Sequence, residues 1–252
     1  MKTLLQLYSA RNYQPWEGVL AQTAATGFTG VEPFAAVFDH ATAFRALADR
    51  NALALPAAHV PLKLLEEQPE QAFDVCHTLG VELIVVPWLP EEARPTTRAA
   101  ADDLGRRLAV LQRRAAASGF RLAYHNHDFE FITLEDGSLL MEVLLGAEPA
   151  ILWEADIGWL IRAGQDPLAW LDRYSDRVVS VHLKDYVGGE SEGGWADLGY
   201  GPTDYMPIFS KLTRLPKLDY CVAEHDDPAD FNRFVRRWME SFRRLSQAAG
   251  LI

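Results

Sequence analysis

Short apolar, β-branched runs recur along the chain: TLLQLYS near the start, FTGVEPF around Glu32, ALALPAAHVP before Leu62 and ELIVVPW ending at Trp88. Four more follow, RLAYHNH from Arg121, AILWEADIGW from Ala150, RVVSVHLKD from Arg177 and LDYCVAEHD from Leu218. Runs of this length predict strands. Between them the period changes. TTRAAADDLGRRLAVLQRRAAASG is the clearest helical segment, with Ala100, Leu104, Leu108 and Leu111 on one face and arginines on another. Gly27, Gly80 and Gly119 each stand where such a segment gives way to a strand, as helix-ending glycines do.

Eight strand-then-helix units within 252 residues predict an α/β fold, a (β/α)8 TIM barrel, with residues 1–252 forming a single domain and no composition break between parts. A doubly wound open sheet is the rival, but it would carry a glycine-rich turn after the first strand, where this chain has SARNYQPW.

Barrel strands alternate between lumen and helix layer, and barrel sites form at the strands' C-terminal ends. The ionisable residues obey that alternation. In RLAYHNH, Ala123, His125 and His127 share a face; in AILWEADIGW, Leu152, Glu154 and Asp156 do. The corresponding sets are Val178, Ser180, His182 and Lys184 in the seventh run, and Tyr220, Val222, Glu224 and Asp226 in the eighth. Glu32 and His59 end two earlier strands. Turning this parity outward would bury unpaired charge in the apolar layer at a cost of several kcal/mol per group. The inward assignment gathers carboxylates and histidines at one barrel mouth. Asp, Glu and His without cysteine suit Mn²⁺, Mg²⁺, Co²⁺ or Zn²⁺, whose charge offsets the carboxylates' repulsion. The competing reading makes each a hydrogen-bonded structural residue, but four successive strands with the same pattern argue for a site.

Composition narrows the partners. A formal charge of −11 and the lack of a basic patch disfavour nucleic acid and acidic membranes. No run approaches a membrane span in length, and Gln6, Tyr8, Ser9 and Arg11 interrupt the start before a signal-peptide core forms. Cys76 and Cys221 lie in apolar runs without metal-ligand spacing and are expected as free thiols in a reducing compartment. A cytoplasmic protein acting on a small molecule is expected.

Taken together, QLYSAR, GFTGVE, YHNHDFEF, DIGWLIRAGQDPLAWLDRYSDR, HLKD, LGYGPTDY and AEHD cover almost the whole chain. In this combination the chain resembles the sugar phosphate isomerase/epimerase superfamily, the xylose isomerase-like barrels that also include inosose dehydratases, ketose 3-epimerases and endonuclease IV. The resemblance implies a divalent metal ion held by four side chains from strands five to eight, usually Glu, Asp, His and Glu. Asp156, His182 and Glu224 match the last three. At the fifth strand this chain has His125 where most relatives have glutamate, which leaves the fourth ligand to His125, to Glu130 from the following loop, or to water, with Glu154 as a nearby competitor.

The activity implied is isomerisation or epimerisation of a sugar, keto-sugar or cyclitol by proton transfer through a metal-stabilised enediolate. Glu224 would act as ligand and base together, Glu130 or His59 as the partner acid, and Lys184 as a hydrogen-bond donor to an oxyanion or hydroxyl. His127, Glu32, Trp88 and Trp159 are the expected substrate contacts, and Phe34, Phe129 and Tyr186 are further candidate wall residues. A dehydratase or lyase on a keto-sugar or inosose is the alternative, and a non-catalytic sugar-binding barrel a third. An endonuclease role fits the acidic mouth poorly. No phosphate cradle is evident, Arg162 being the one nearby candidate, so an unphosphorylated substrate is expected. Oligomeric state stays open, with a homodimer the pairing that such barrels often adopt. His125 and His127, about 7 Å apart along a strand, are expected to serve the ion and the substrate respectively.

Overall fold

A computed structural model describes residues 1–252. Eight of its strands form one parallel sheet: β1 (Lys2–Gln6), β2 (Gly30–Glu32), β3 (Ala57–His59), β4 (Leu83–Val86), β5 (Arg121–His125), β6 (Leu152–Asp156), β7 (Val178–Leu183) and β8 (Tyr220–Ala223). Each strand lies beside its sequence neighbours, and β1 pairs with β8 from Lys2 opposite Tyr220 to Leu5 opposite Ala223. The remaining seam, between β2 and β3, is bridged by backbone hydrogen bonds. Val31 N–H donates to the Ala54 carbonyl at 2.9 Å, and His59 N–H donates to that of Pro33 at 2.9 Å. The sheet therefore curls into the (β/α)8 barrel that the alternation predicts.

The helices follow in turn: α1 (Trp16–Thr26), α2 (Ala41–Arg50), α3 (Leu62–Glu67), α4 (Pro69–Leu79), α5 (Arg98–Ala117), α6 (Leu140–Gly146), α7 (Ile157–Arg162), α8 (Pro167–Arg173), α9 (Tyr205–Leu212) and α10 (Phe231–Ala249). Gly27 and Gly80 end α1 and α4 in the left-handed region, with φ of 100° and 75°. On α5 the buried stripe is Ala101, Leu104, Leu108, Leu111 and Ala115. Ala100, expected on that face, is exposed. A step of three from Leu104 satisfies the helical period as well as a step of four, and Thr97, which caps the helix by accepting from Ala100 N–H at 3.2 Å, fixes the phase. No helix is long and apolar enough to cross a membrane.

Two buried clusters divide the interior. The larger, 67 residues from Leu5 to Leu245, fills the layer between sheet and helices. The smaller consists of Leu4, Ala57, Leu83, Val85, Ala123, Val179, Tyr220 and Val222 and closes the barrel lumen from below. Its membership supports the inward parity on β5 and β8, Leu152 packing against it supports that on β6, and Val179 corrects it on β7. Val179, not Val178, points inward, because the β6–β7 ladder shifts register between Trp153 and Glu154. Beyond the irregularity the pairing resumes with Glu154 opposite Ser180 and Asp156 opposite His182, so the ionisable residues keep their face.

Candidate metal centre

Above the apolar floor, the strand ends deliver their polar side chains into one volume. Two interlocking groups form there. His125, Asp156, His182 and Glu224 offer four ligand atoms within 4.8 Å of one another, and so do His59, His125, Glu154 and His182. All six residues are buried. The first group is the ligand set expected from the resemblance with His125 in the fifth-strand place, and the structure brings all four residues together. It lies against a cavity of about 450 Å³ lined by, among others, Tyr8, Phe34, Trp88, His127, Trp159 and Asp226, with His59, His125 and Glu224 at its polar end.

Local sequence explains how each is held. Asp156 ends β6 and caps α7, its Oδ1 accepting from Trp159 N–H at 2.8 Å. Its backbone is clamped by Asn126, whose Oδ1 accepts from Asp156 N–H at 3.0 Å and from Trp153 Nε1–H at 2.9 Å. Gly158, in the DIGW motif, packs so closely that a Cβ would meet Lys184 Cγ at 2.6 Å and the Lys184 carbonyl at 2.9 Å. Asp185 of HLKD accepts from the N–H groups of Gly199 and Gly201 at 3.1 and 3.0 Å, which ties LGYG to the segment just past the seventh strand's end.

Charge at this depth is unusual. Glu32, Glu154, Asp156 and Glu224 are buried, Asp226 is partly so, and Lys184 is the one buried ammonium among them. Lys184 Nζ lies 3.0 Å from Asp156 Oδ2, 2.7 Å from Glu224 Oε2 and 2.9 Å from Asp226 Oδ2. Burial alone would lower its pKa, but Asp156, Asp226 and Glu224 outweigh that and hold it above the usual lysine range. Burial pushes the Asp156 carboxyl up to about 7, with Lys184 offsetting part of the rise. Glu224 is held well below the carboxylate range because Lys184 and His182 outweigh its own burial. Burial lowers His125 to about 3, whereas Glu154 and Glu224 overcome burial at His182 and raise it. Several oxygens are left over. Glu32 Oε1 and Glu154 Oε2 have no hydrogen-bond partner, and Asp156 Oδ2 sits near Lys184 without hydrogen-bond geometry. Excess carboxylates, two imidazoles and unsatisfied oxygens fit a hard or borderline divalent cation, which His125, Asp156, His182 and Glu224 would hold.

The expected substrate contacts divide. His127, Trp88 and Trp159 border the cavity, and His59 joins them. Glu32 does not, being fully buried with Oε2 taken by Gln6 at 2.8 Å and His182 at 2.9 Å. Lys184 is likewise sealed behind the carboxylates rather than facing a ligand. Glu130 is not brought into the group as ligand or acid. Its Oε1 accepts from Tyr124 O–H and its Oε2 from His127 N–H, both at 2.8 Å, and Tyr124 lies on the outward face of β5. There burial raises the Glu130 carboxyl to about 8. Phe129 and Tyr186 also stand away from the cavity wall. The His125 and His127 rings lie 5.0 Å apart, closer than strand spacing gives, because β5 ends at His125. Asn126, Gln6, Tyr8 and Asp226 are the residues given no role from sequence; parity along β1 and β8 signals Gln6 and Asp226, but nothing local signals the clamp by Asn126.

A (β/α)8 barrel that gathers Asp, Glu and His at the C-terminal ends of β5 to β8 defines a class of barrels built around a polar, metal-competent mouth. Within it, this chain belongs to the xylose isomerase-like TIM barrel family, whose profile matches residues 20–245. It is similar to an inosose dehydratase of Lacticaseibacillus casei, 26% identical over 221 residues that cover 73% of this chain and 74% of that one. A sugar phosphate isomerase/epimerase from Parabacteroides distasonis shares the fold with a TM-score of 0.82 at 22% identity, covering 97% of this chain and 93% of that one. An IolI protein with a bound zinc atom shares it with a TM-score of 0.77 at 13% identity, over 99% and 98% of the two chains.

Proposed function

We propose that this chain is a divalent-metal-dependent enzyme that moves a proton at a carbon beside the carbonyl of a keto-sugar or cyclitol, with isomerisation or epimerisation as the outcome. The observation that carries the reading is the convergence of His125, Asp156, His182 and Glu224 within 4.8 Å at the polar end of an aromatic-walled cavity of about 450 Å³. The zinc named with the IolI protein supports an ion of this kind.

When bound, the ion supplies Lewis acidity toward a carbonyl and a neighbouring hydroxyl. The remaining work falls to side chains. Glu224, fixed by Lys184 and His182, borders the cavity and takes up a proton at its carboxylate. His59 is tied at Nε2 to Glu154 at 2.8 Å, which leaves Nδ1 as the ring nitrogen for a ligand proton on the opposite side. Trp88, Trp159 and Phe34 offer faces to the apolar side of a sugar ring, and His127 and Asp226 offer hydrogen bonds to its hydroxyls. Lys184 acts from behind, holding Asp156 and Glu224 in place.

A dehydratase reading has its own support in the inosose dehydratase relative. The same proton abstraction would then expel a hydroxyl at the next carbon. Incubation with keto-sugars and inososes in D₂O separates the readings by mass: deuterium uptake alone means isomerisation or epimerisation, and loss of water means dehydration. Binding that persists after chelation, without either change, would make the barrel non-catalytic. Asp156→Asn is expected to lose the ion and turnover while keeping the fold, since asparagine also caps a helix; an Asp156→Asn protein that keeps both overturns the proposal.

A further inference from the structure

We infer that Glu154, backed by Glu32, is a positioning residue rather than a ligand: it sets which nitrogen His125 and His182 present to the ion. This rests on the metal reading above. The two donor groups share these histidines, and a ring that serves both does so with opposite nitrogens. His125 Nδ1 lies 3.2 Å from Glu154 Oε1, while its Nε2 faces Asp156 Oδ2 at 3.8 Å. His182 Nε2 lies 3.0 Å from Glu154 Oε1 and 2.9 Å from Glu32 Oε2, while its Nδ1 faces Glu224 Oε2 at 3.0 Å and Asp156 Oδ2 at 3.9 Å. A neutral imidazole carries one N–H and one lone pair. With the N–H on the carboxylate side, both lone pairs point into the Asp156–Glu224 group.

Spacing favours the same division. Ligands about 2.0–2.1 Å from a tetrahedral ion stand roughly 3.4 Å from one another. Glu154 Oε1 lies only 2.8, 3.2 and 3.0 Å from the ring nitrogens of His59, His125 and His182, which are hydrogen-bond lengths around a single acceptor. The Asp156–Glu224 group is more open at Asp156, whose Oδ2 lies 3.8 and 3.9 Å from the two rings, and is closed to 3.0 Å only between His182 Nδ1 and Glu224. Of Glu32, Glu154, Asp156 and Glu224, only Glu224 borders the cavity, the other three being sealed from it; of the rings, His59 and His125 border it and His182 does not. Glu32 Oε2 in turn is fixed by Gln6 Nε2 at 2.8 Å and lies 3.3 Å from His59 Nε2, so the support is itself supported.

Co²⁺ titration of the purified chain, with metal analysis for stoichiometry and visible absorption for coordination, tests this. The wild type is expected to bind one ion. Glu154→Gln should still bind one, roughly 10–100-fold more weakly, with shifted Co²⁺ bands, and Glu154→Asp should recover part of the loss. Glu32→Gln, which touches His182 but not His125, should show a smaller loss and carries the test if Glu154→Gln does not fold. A second ion in the wild type that disappears in Glu154→Gln would make Glu154 a ligand and overturn the inference. So would wild-type affinity and spectrum in both glutamine variants. A wild type that binds no Co²⁺ overturns the metal reading itself, and the inference with it.

Discussion

Asn126 does not border the cavity at the barrel mouth, yet it governs where Asp156 sits. One side-chain oxygen takes both the Trp153 indole N–H and the Asp156 backbone N–H, and its amide donates back to the Asp156 carbonyl at 3.3 Å. Asn126→Ala would strand two buried donors, each costing about 1–3 kcal/mol. We expect a loss of about 2–4 kcal/mol, read as a lower urea midpoint with an unchanged slope. At this scale the sequence is informative about which residues face the lumen and silent about which atoms meet. Alternation places His125, Asp156, His182 and Glu224 on one side because a strand has period two. It says nothing of Glu130, which leaves the strand and turns back to Tyr124, nor of which imidazole nitrogen faces which carboxylate. The imidazole contacts join residues 29 or more apart in sequence, as in the His125–Glu154 pair, and the Glu130 contact, though it spans only six residues, depends on a turn that strand parity does not describe.

Elements were legible where a single period rules them. The eight apolar runs became eight strands because both faces are buried, and only β7 broke the rule, through a register shift that no local residue announces. The segment after β7 is held in a way the sequence hides altogether. Asp185–Tyr186 pairs antiparallel with Trp195–Ala196, and Glu192 near the tip forms a bidentate pair with Arg233 of α10, at 2.9 and 3.0 Å. Arg233 also donates from Nε to Asp197 at 3.0 Å. The hairpin lays Trp195 against Trp159, ring centroids 4.6 Å apart, and over Lys184, with Nζ 4.7 Å from the ring. Arg233→Ala should therefore release the hairpin before the barrel. Amide hydrogen exchange at Val187 and Gly188 should quicken markedly, while global stability falls by only about 1–2 kcal/mol. Unchanged exchange in that segment would mean that the tryptophan packing alone holds it.

On the proposed metal reading, the whole molecule would couple its fold to a cation. Carboxylates from β2, β6 and β8 meet in the upper lumen, and an ion that binds there in the native state alone adds stability by mass action. At a free concentration of 100 times Kd the gain is about 2.7 kcal/mol, which for a chain of this size corresponds to a rise in Tm of roughly 5–10 °C. Calorimetry with and without a divalent ion checks it, and the increment should vanish after chelation and in Asp156→Asn. Fold class was legible at this scale because strand and helix periods alternate from end to end. The exact join of β2 to β3, made by backbone bonds at Ala54 and Pro33, was not.

The apolar floor has one more consequence. Leu4, Ala57, Leu83, Val85, Ala123, Val179, Tyr220 and Val222 leave no polar route out of the lumen below the ionisable residues, so the chamber is blind at one end. A substrate seated at the mouth, above this floor, would then shield the ionisable residues from the medium. Under the proposed chemistry, a proton lifted from that substrate stays beside it until release. If Glu224 alone both takes and returns the proton, as an isomerisation allows, part of a labelled C–H should reappear in product. If His59 supplies the proton from the opposite side, as an epimerisation needs, the label should be lost from product.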